Sequence, residues 1–190
     1  MSAARSRGRR LEVFLGLLCL FAYAVHGWHY VQRRQEANLL WFCHLAALAV
    51  GLGLLLRAPT LSAVGFLWLC VGTPLWLLDL ASGGEVSVGS ILTHGAGLGA
   101  GAFGLRRLGL PSGAWWKALV ALVAVHALTR VVTPPAENVN LAFAVWTGWE
   151  PWFPSHLAYI ALLTTVSGLV FLAVSWAARR SGLAPPGLDR

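Results

Sequence analysis

The chain has 190 residues, of which 57% are hydrophobic and only 11% are charged. Soluble domains carry about 25% charged residues, so this composition excludes a water-soluble surface and indicates that most of the chain faces lipid. The net charge of +7 does not indicate nucleic-acid binding, because the basic residues cluster at the ends of apolar runs, as they do in oriented membrane proteins.

Six apolar stretches approach the roughly 20 residues needed to cross a bilayer. In chain order they are Leu11–Tyr30, Leu39–Leu56, Leu61–Leu80, Val88–Leu105, Trp115–Val132 and Trp152–Trp176. Glycine, proline and polar residues interrupt the chain between them, as expected of turns. The sequence therefore predicts an all-α, polytopic bundle, with one six-helix transmembrane domain over residues 1–180 and a short flexible C-terminal tail over residues 181–190.

The distribution of basic residues predicts that both termini are cytoplasmic. With the N-terminus inside, the inner segments contain Arg5, Arg7, Arg9, Arg10, Arg57, Arg106, Arg107, Lys117, Arg179 and Arg180. The outer segments contain Arg33, Arg34 and Arg130. We therefore expect a multi-pass protein of the cell inner or plasma membrane whose partners are membrane lipids and not nucleic acid.

The first span has a second interpretation. An arginine-rich start, a short apolar core and Ala22-Tyr23-Ala24 resemble a cleaved signal peptide. Its removal would leave five spans. The apolar run continues to Tyr30 and carries two histidines, which favours a retained helix.

The six histidines are all predicted to lie in the outer half of the bundle, whereas the inner half is almost entirely apolar. They are His26, His29, His44, His94, His126 and His156. Any single one is also compatible with a ring at headgroup depth. Ionisable residues inside a membrane are costly and usually face a bundle interior or a cavity, so the whole set predicts a polar cavity that opens to the outer leaflet.

A thiol and an imidazole at similar depth give this cavity a candidate chemistry. Cys43 in the second span and His94 in the fourth would form a nucleophile–base pair that attacks an ester carbonyl. Cys19 and Cys70 lie deeper without titratable neighbours and are poorer candidates. The remaining predicted cavity residues are His44, Asp79, His126, Arg130 and His156.

A histidine cluster is the alternative. His26 and His29 share one helical face, and with His44 they would form a metal or haem site in a non-enzymatic membrane subunit or binder. Carboxylate ligands are scarce at this depth, where Asp79 is the sole candidate. The cysteine–histidine interpretation requires no cofactor.

The fourth span is rich in glycine. Gly95 with Gly99, and Gly97 with Gly101, have the small-xxx-small spacing that lets helices approach closely. Close packing along this face would hold His94 rigidly toward a neighbouring helix.

Three motifs resemble the YwaF-like integral membrane proteins of bacteria, over roughly Asn38 to Ser175. They are Asn38-Leu-Leu-Trp-Phe-Cys43-His44, similar to a Pro-Leu-His-x-Cys element; the intramembrane His94; and the loop Glu137-Asn-Val-Asn-Leu141 followed by Trp149-Glu-Pro-Trp-Phe-Pro154. The family's proline and histidine before the cysteine are absent, since Leu40, Trp41 and Phe42 stand there.

This resemblance implies a six-helix fold. The family's eukaryotic relatives include an ether-phospholipid acyltransferase, so it also implies acyl transfer through a cysteine thioester. Carried over, Cys43 would accept the acyl group, His94 would be the base, and Asn138 or Asn140 would line the cavity mouth. The sequence therefore predicts a membrane-embedded acyltransferase or lipid acyl-ester hydrolase.

Overall fold

The protein is all-helical in a computed structural model that describes residues 2–183, with side chains from residue 6 onward. Its helices are α1 (Ser2–Gln32), α2 (Phe42–Leu56), α3 (Pro59–Ala81), α4, α5 (Ala114–Val132) and α6 (His156–Arg180). Helix α4 is continuous through Val88–Ile91, a π-helical turn Leu92–Ala96, and Gly97–Leu108. Residues 184–190 of the predicted tail and the Arg5 side chain lie outside the described residues.

In the part of the chain that the structure describes, four helical segments are long and apolar enough to cross a membrane. They are Ser6–Gln32, Pro59–Ala81, Ala114–Val132 and His156–Arg180. Large apolar side chains on them point outward, among them Phe14 at 60% exposure and Leu157 at 78%. Such extensive apolar surface is stable only against lipid or a partner, so the predicted class, a helical membrane protein, is confirmed at this level.

Two predicted span boundaries are wrong. The predicted second span starts at Leu39, but helix α2 begins at Phe42, because Glu36–Leu40 forms a separate 3-10 turn. The predicted sixth span starts at Trp152, but helix α6 begins at His156, because Ser155 caps the helix by accepting a hydrogen bond from the Ala158 N–H at 3.2 Å. An N-cap residue keeps non-helical backbone angles, so the residues before Ser155 stand outside the helix.

Helices α2 and α3 form the most closely packed pair, and glycines make this approach possible. A Cβ on Gly53 would lie 2.5 Å from the Ser62 nitrogen, and one on Gly65 would lie 2.5 Å from the Ala46 carbonyl oxygen. Both obstacles are backbone atoms, which cannot move aside as a flexible side chain does. The pair therefore forms a rigid central hairpin.

The glycines of α4 divide into two sets. A Cβ on Gly97 would meet Leu69 at 3.1 Å and one on Gly101 would meet Phe66 at 2.9 Å, so this pair packs on α3. Gly95 and Gly99 have no atom within 4 Å of a built Cβ. Within the described chain, the predicted close packing thus holds for one of the two pairs.

These glycines allow a matched test of the packing. Gly65→Ala is expected to destabilise the protein by about 1–3 kcal/mol, because the new methyl group overpacks the α2–α3 interface. Gly99→Ala places the same methyl group in open space, and a better helix former there is neutral or stabilising by up to about 1 kcal/mol. Thermal unfolding of the two variants in detergent measures the difference, and equal melting temperatures would contradict this packing.

The prediction that the inner half is almost entirely apolar is wrong at Glu12. This residue of α1 is 0% exposed. Its carboxylate pairs with Arg9 and Arg107 at 3.2 Å and with Arg57 at 3.6 Å. Arg9 also donates to the Leu54 and Leu55 carbonyls at the end of α2. This Glu12 cluster joins α1, α2, the α2–α3 turn and α4 at one end of the bundle.

Candidate functional site

A cavity of about 510 Å³ lies at the other end of the bundle. It includes His26, which is separated from Glu12 by about 21 Å along α1. All six helices contribute to its walls. The predicted site residues that line it are Cys43, His44, Asp79, His94, His126, Asn138 and Asn140. The structure therefore brings these residues together from four helices and a loop around one space, as their common depth in the sequence predicted.

At the rim of the cavity, polar side chains join two segments that are distant in sequence. Asn38 donates from its side chain to Glu137 at 2.8 Å and accepts from the Trp41 indole N–H at 2.6 Å. Its backbone carbonyl lies 2.9 Å from His44 Nδ1. Because a carbonyl oxygen only accepts, Nδ1 carries the proton in this hydrogen bond, and the Nε2 atom of the neutral ring is an acceptor.

Asn140 attaches the long loop to the start of α2. Its side-chain oxygen accepts from the Phe42 N–H at 2.8 Å, which satisfies a donor at the helix start. Its amide nitrogen donates to the Leu40 carbonyl at 2.8 Å and to the Thr129 hydroxyl at 3.1 Å. Asn140 adopts a left-handed backbone with φ of 54°, which asparagine tolerates better than most residues. These bonds fix the position of the neighbouring Cys43.

The Cys43 sulfur contacts α3 at a glycine. A Cβ on Gly72 would lie 2.6 Å from the sulfur, so the thiol occupies space that a larger residue would fill. Cys19 is fully buried in the helical core, and neither Cys19 nor Cys70 lines the cavity. Among the described residues, Cys43 is therefore the cysteine that a cavity ligand meets.

Two imidazoles and a phenol form a cluster on one wall. The His26 ring meets the edge of His44 with centroids 4.1 Å apart and stacks on Tyr30 at 5.1 Å. Gly89 of α4 packs on His26, since a Cβ there would lie 2.8 Å from the histidine Cα and Cβ. The close contact of α1 and α4 holds His26 in place.

His94 lies in the π-helical turn of α4 and is 3% exposed. Such turns are frequent at functional sites. Its ring stacks on Trp76 of α3, with centroids 4.4 Å apart and planes at 5°, and its Nδ1 is 3.4 Å from the Thr73 hydroxyl. Cys43 and His94 line the same cavity, and within residues 6–183 no hydrogen bond joins them, so their action as a nucleophile–base pair stays a prediction.

Two predicted cavity residues support the loop instead. Arg130 donates to the Ala142 carbonyl and lies over the Phe143 ring at 5.5 Å, while His156 Nε2 is 2.9 Å from the Leu141 carbonyl oxygen. Neither lines the cavity. Both lie at the correct end of the bundle, but their side chains are directed to loop carbonyls, which the sequence did not indicate.

The alternative metal site is not assembled. His29 lies outside the cavity lining, and its ring centroid is 6.4 Å from that of His26. Over the described side chains, no group of three histidines, cysteines or carboxylates could hold a metal ion. The proposed set His26, His29 and His44 is therefore corrected to a histidine pair with Tyr30.

The charged groups that line the cavity are acidic. They are Asp79, Glu85 and Glu137, and the described lining contains no lysine or arginine. Arg33, outside the lining, donates to Glu85 at 2.8 Å, and this hydrogen bond lowers the pKa of Glu85 below its ordinary value. The cavity is thus unsuited to a ligand group that carries a full negative charge.

Sequence reasoning missed several members of this site. Trp76 and Trp41 are not among the predicted cavity residues, and Tyr30 is predicted only as the end of a span. Because any helix end attracts aromatic residues, nothing in the sequence separates a belt tryptophan from one that stacks on an imidazole. Glu12 had a signal, since a single acid follows a cluster of arginines at the start of an apolar helix.

No family model, curated protein or solved structure matches the chain. What the fold and site define is therefore a class: an all-helical membrane protein with four helices able to span a bilayer and a polar cavity at one end of the bundle.

Proposed function

We propose that the protein crosses the inner or plasma membrane six times, with both termini in the cytoplasm and the cavity at the outer leaflet. Helix α2, with 15 residues, and the glycine-rich α4 complete the six spans. The arginines around Glu12 and the cavity occupy opposite ends of the bundle, which supports this orientation because basic residues favour the cytoplasmic side.

We further propose that the cavity binds a membrane lipid with an acyl ester and that the protein acts as an acyltransferase or acyl-ester hydrolase. One observation carries this proposal: the Cys43 thiol shares a single cavity with the imidazoles of His44 and His94. A cavity open at a membrane face and walled by Leu, Ile and Trp side chains suits an acyl chain, and a thiol beside imidazoles suits attack on its ester.

The proposed reaction proceeds in two steps. His94 removes the Cys43 proton, the thiolate attacks the ester carbonyl, and the lipid alcohol leaves with the proton that the imidazolium returns. The product is an acyl thioester on Cys43. Water or a second lipid hydroxyl then attacks the thioester, with the imidazole again as base, to give a fatty acid or a new ester and regenerate the thiol.

In the reaction, the His94 ring must come within hydrogen-bond distance of the thiol, because the two share no hydrogen bond among the described residues. Catalytic contacts are often loose before substrate binds. His44 is a second candidate base, since its Nδ1 is held by the Asn38 carbonyl and its Nε2 is left to accept a proton. Membership of the YwaF-like family, suggested by the motifs around Cys43 and His94, belongs to the same proposal.

A non-catalytic lipid-binding role is the second candidate. It is favoured by the absence, in the described residues, of a hydrogen bond from Cys43 to any imidazole. In this role the same cavity binds an acyl lipid and releases it unchanged.

Turnover distinguishes the two functions. The purified protein in nanodiscs is incubated with phospholipids and acylglycerols that carry isotopically labelled acyl chains, with and without a lysolipid acceptor. Mass spectrometry then measures labelled fatty acid and labelled acceptor. Labelled product above a protein-free control supports the enzyme, whereas saturable lipid binding without product supports the binder.

A further inference from the structure

Two buried nitrogen atoms in the cavity wall have no hydrogen-bond partner. They are Trp76 Nε1 and His26 Nδ1, and both residues line the cavity. Buried polar atoms are nearly always paired, because an unmade hydrogen bond is costly. An unpaired donor at the wall of a binding cavity therefore indicates the position of a polar ligand atom.

Trp76 is the more specific of the two. Its indole N–H can donate but cannot accept, so its partner must be an acceptor. The stacking on His94, with planes at 5°, fixes the ring and with it the N–H direction. Two other tryptophans that line the cavity use this group within the protein: Trp41 donates to Asn38 at 2.6 Å and Trp68 donates to the Ala118 carbonyl at 2.9 Å.

His26 contributes a second unpaired polar atom, Nδ1, from helix α1. It is 6% exposed, and its ring is confined by His44, Tyr30 and Gly89. Depending on its tautomer, Nδ1 donates or accepts. The residues that confine the ring are an imidazole, a phenol and a glycine, and none of them is a carboxylate, lysine or arginine. A neutral oxygen is therefore a suitable partner for Nδ1.

The acidic side chains of the cavity favour a neutral ligand atom over a negatively charged one. Asp79, Glu85 and Glu137 line it, and the described lining contains no lysine or arginine. Arg33 is already paired with Glu85, so a phosphate or a free carboxylate would meet Asp79 and Glu137 with no lysine or arginine in the described lining. A neutral oxygen, such as an ester carbonyl, accepts a hydrogen bond without that repulsion.

We propose that Trp76 Nε1–H and His26 form the subsite for the ester group of the bound lipid, with Trp76 donating to the carbonyl oxygen. This inference rests on the proposed function, since it assigns the residues that recognise the scissile ester. Attack by Cys43 moves negative charge onto that same oxygen, so the Trp76 hydrogen bond becomes stronger as the reaction proceeds.

The test compares binding of an acyl-ester lipid with that of the matching ether lipid, which lacks the carbonyl. Both are measured in the Cys43→Ala protein, so that no turnover interferes, and again after adding Trp76→Phe. Phenylalanine keeps an aromatic ring against His94 and removes the donor together with part of the ring, a loss of size that Trp68→Phe shares. The ester is expected to bind about five- to tenfold more tightly than the ether to the first protein, and this preference is expected to disappear in the second.

Stability provides an independent readout. Because the Trp76 N–H has no partner among the described residues, Trp76→Phe is expected to lower the melting temperature only by the lost ring packing. Trp68→Phe removes an N–H that is bonded to Ala118, and it is expected to lower the melting temperature. A fall for Trp76→Phe as large as for Trp68→Phe would show that the Trp76 N–H is bonded within the protein, and would overturn the proposal.

The outcomes separate this subsite from the proposed chemistry. Loss of the ester preference with Trp76→Phe supports the subsite even if the native protein shows no turnover. An ester preference that persists in Trp76→Phe overturns it, even if the native protein turns over esters. If Trp76→Phe fails to fold, His26→Phe is measured in the same way, and an unchanged ester preference in that variant overturns the assignment.

Discussion

Replacement of Cys43 by alanine is expected to lower acyl-ester turnover by at least about a thousandfold, as removal of a nucleophile does in related chemistry. The variant should remain folded, because alanine removes only the sulfur atom, which lies against Gly72, and leaves a small space there. Release of labelled fatty acid or labelled acceptor from the nanodisc assay measures the effect.

Cys70→Ala is the matched control for this prediction. Cys70 lies on α3 and does not line the cavity, so its loss should leave turnover near the native rate. Cys19→Ala makes the same comparison in the buried core of α1. Full activity in Cys43→Ala would end the proposal that a thioester is formed, and equal losses in all three variants would point to a general effect of cysteine removal on stability.

Replacement of Glu12 by alanine is expected to destabilise the protein by about 1–3 kcal/mol, less than the loss of a partner from a fully buried ion pair, because the three arginine side chains are 39–59% exposed and water screens their charges. The carboxylate is surrounded by Arg9, Arg57 and Arg107, whose positive charges would repel one another without it. Gly8 permits this arrangement, since a Cβ there would lie 2.5 Å from the Arg107 guanidinium. Thermal or denaturant unfolding in detergent measures the loss.

Two further variants show how much of that loss of stability comes from the buried charge. Glu12→Gln keeps the shape and the acceptor oxygen but removes the charge, and it should lie between the native protein and Glu12→Ala. Glu85→Gln removes a fully exposed partner of Arg33, and little change in unfolding temperature is expected there because exposed ion pairs contribute little. Equal unfolding temperatures for Glu12→Ala and Glu85→Gln would contradict the buried cluster.

The helices were largely predictable because an apolar run and its interruptions are local features of the sequence. The ends of α2 and α6 were not. Helix α2 begins at Phe42 because the side chain of Asn140, about a hundred residues later, accepts the Phe42 N–H. A contact of this kind leaves no local signal, whereas the Ser155 cap of α6 was a signal that could have been used.

The sequence predicted how far along the bundle the site residues lie, but not which neighbours their side chains contact. Position along a helix placed Cys43, His44, His94 and His126 near one end of the bundle, and all four line the cavity. Rotation about each helix axis decides which neighbour a side chain meets. That is why Trp76, and not Cys43, is the partner of His94, and why Arg130 contacts a loop carbonyl.

Covalent trapping tests the central claim most directly. The native protein is incubated with a labelled acyl-ester lipid, quenched in acid, digested and analysed by mass spectrometry. The account predicts an acyl group on the peptide that contains Cys43, released by neutral hydroxylamine as a thioester. Labelled product formed without any acyl group on Cys43, or with the acyl group on Cys19 or Cys70, would contradict it.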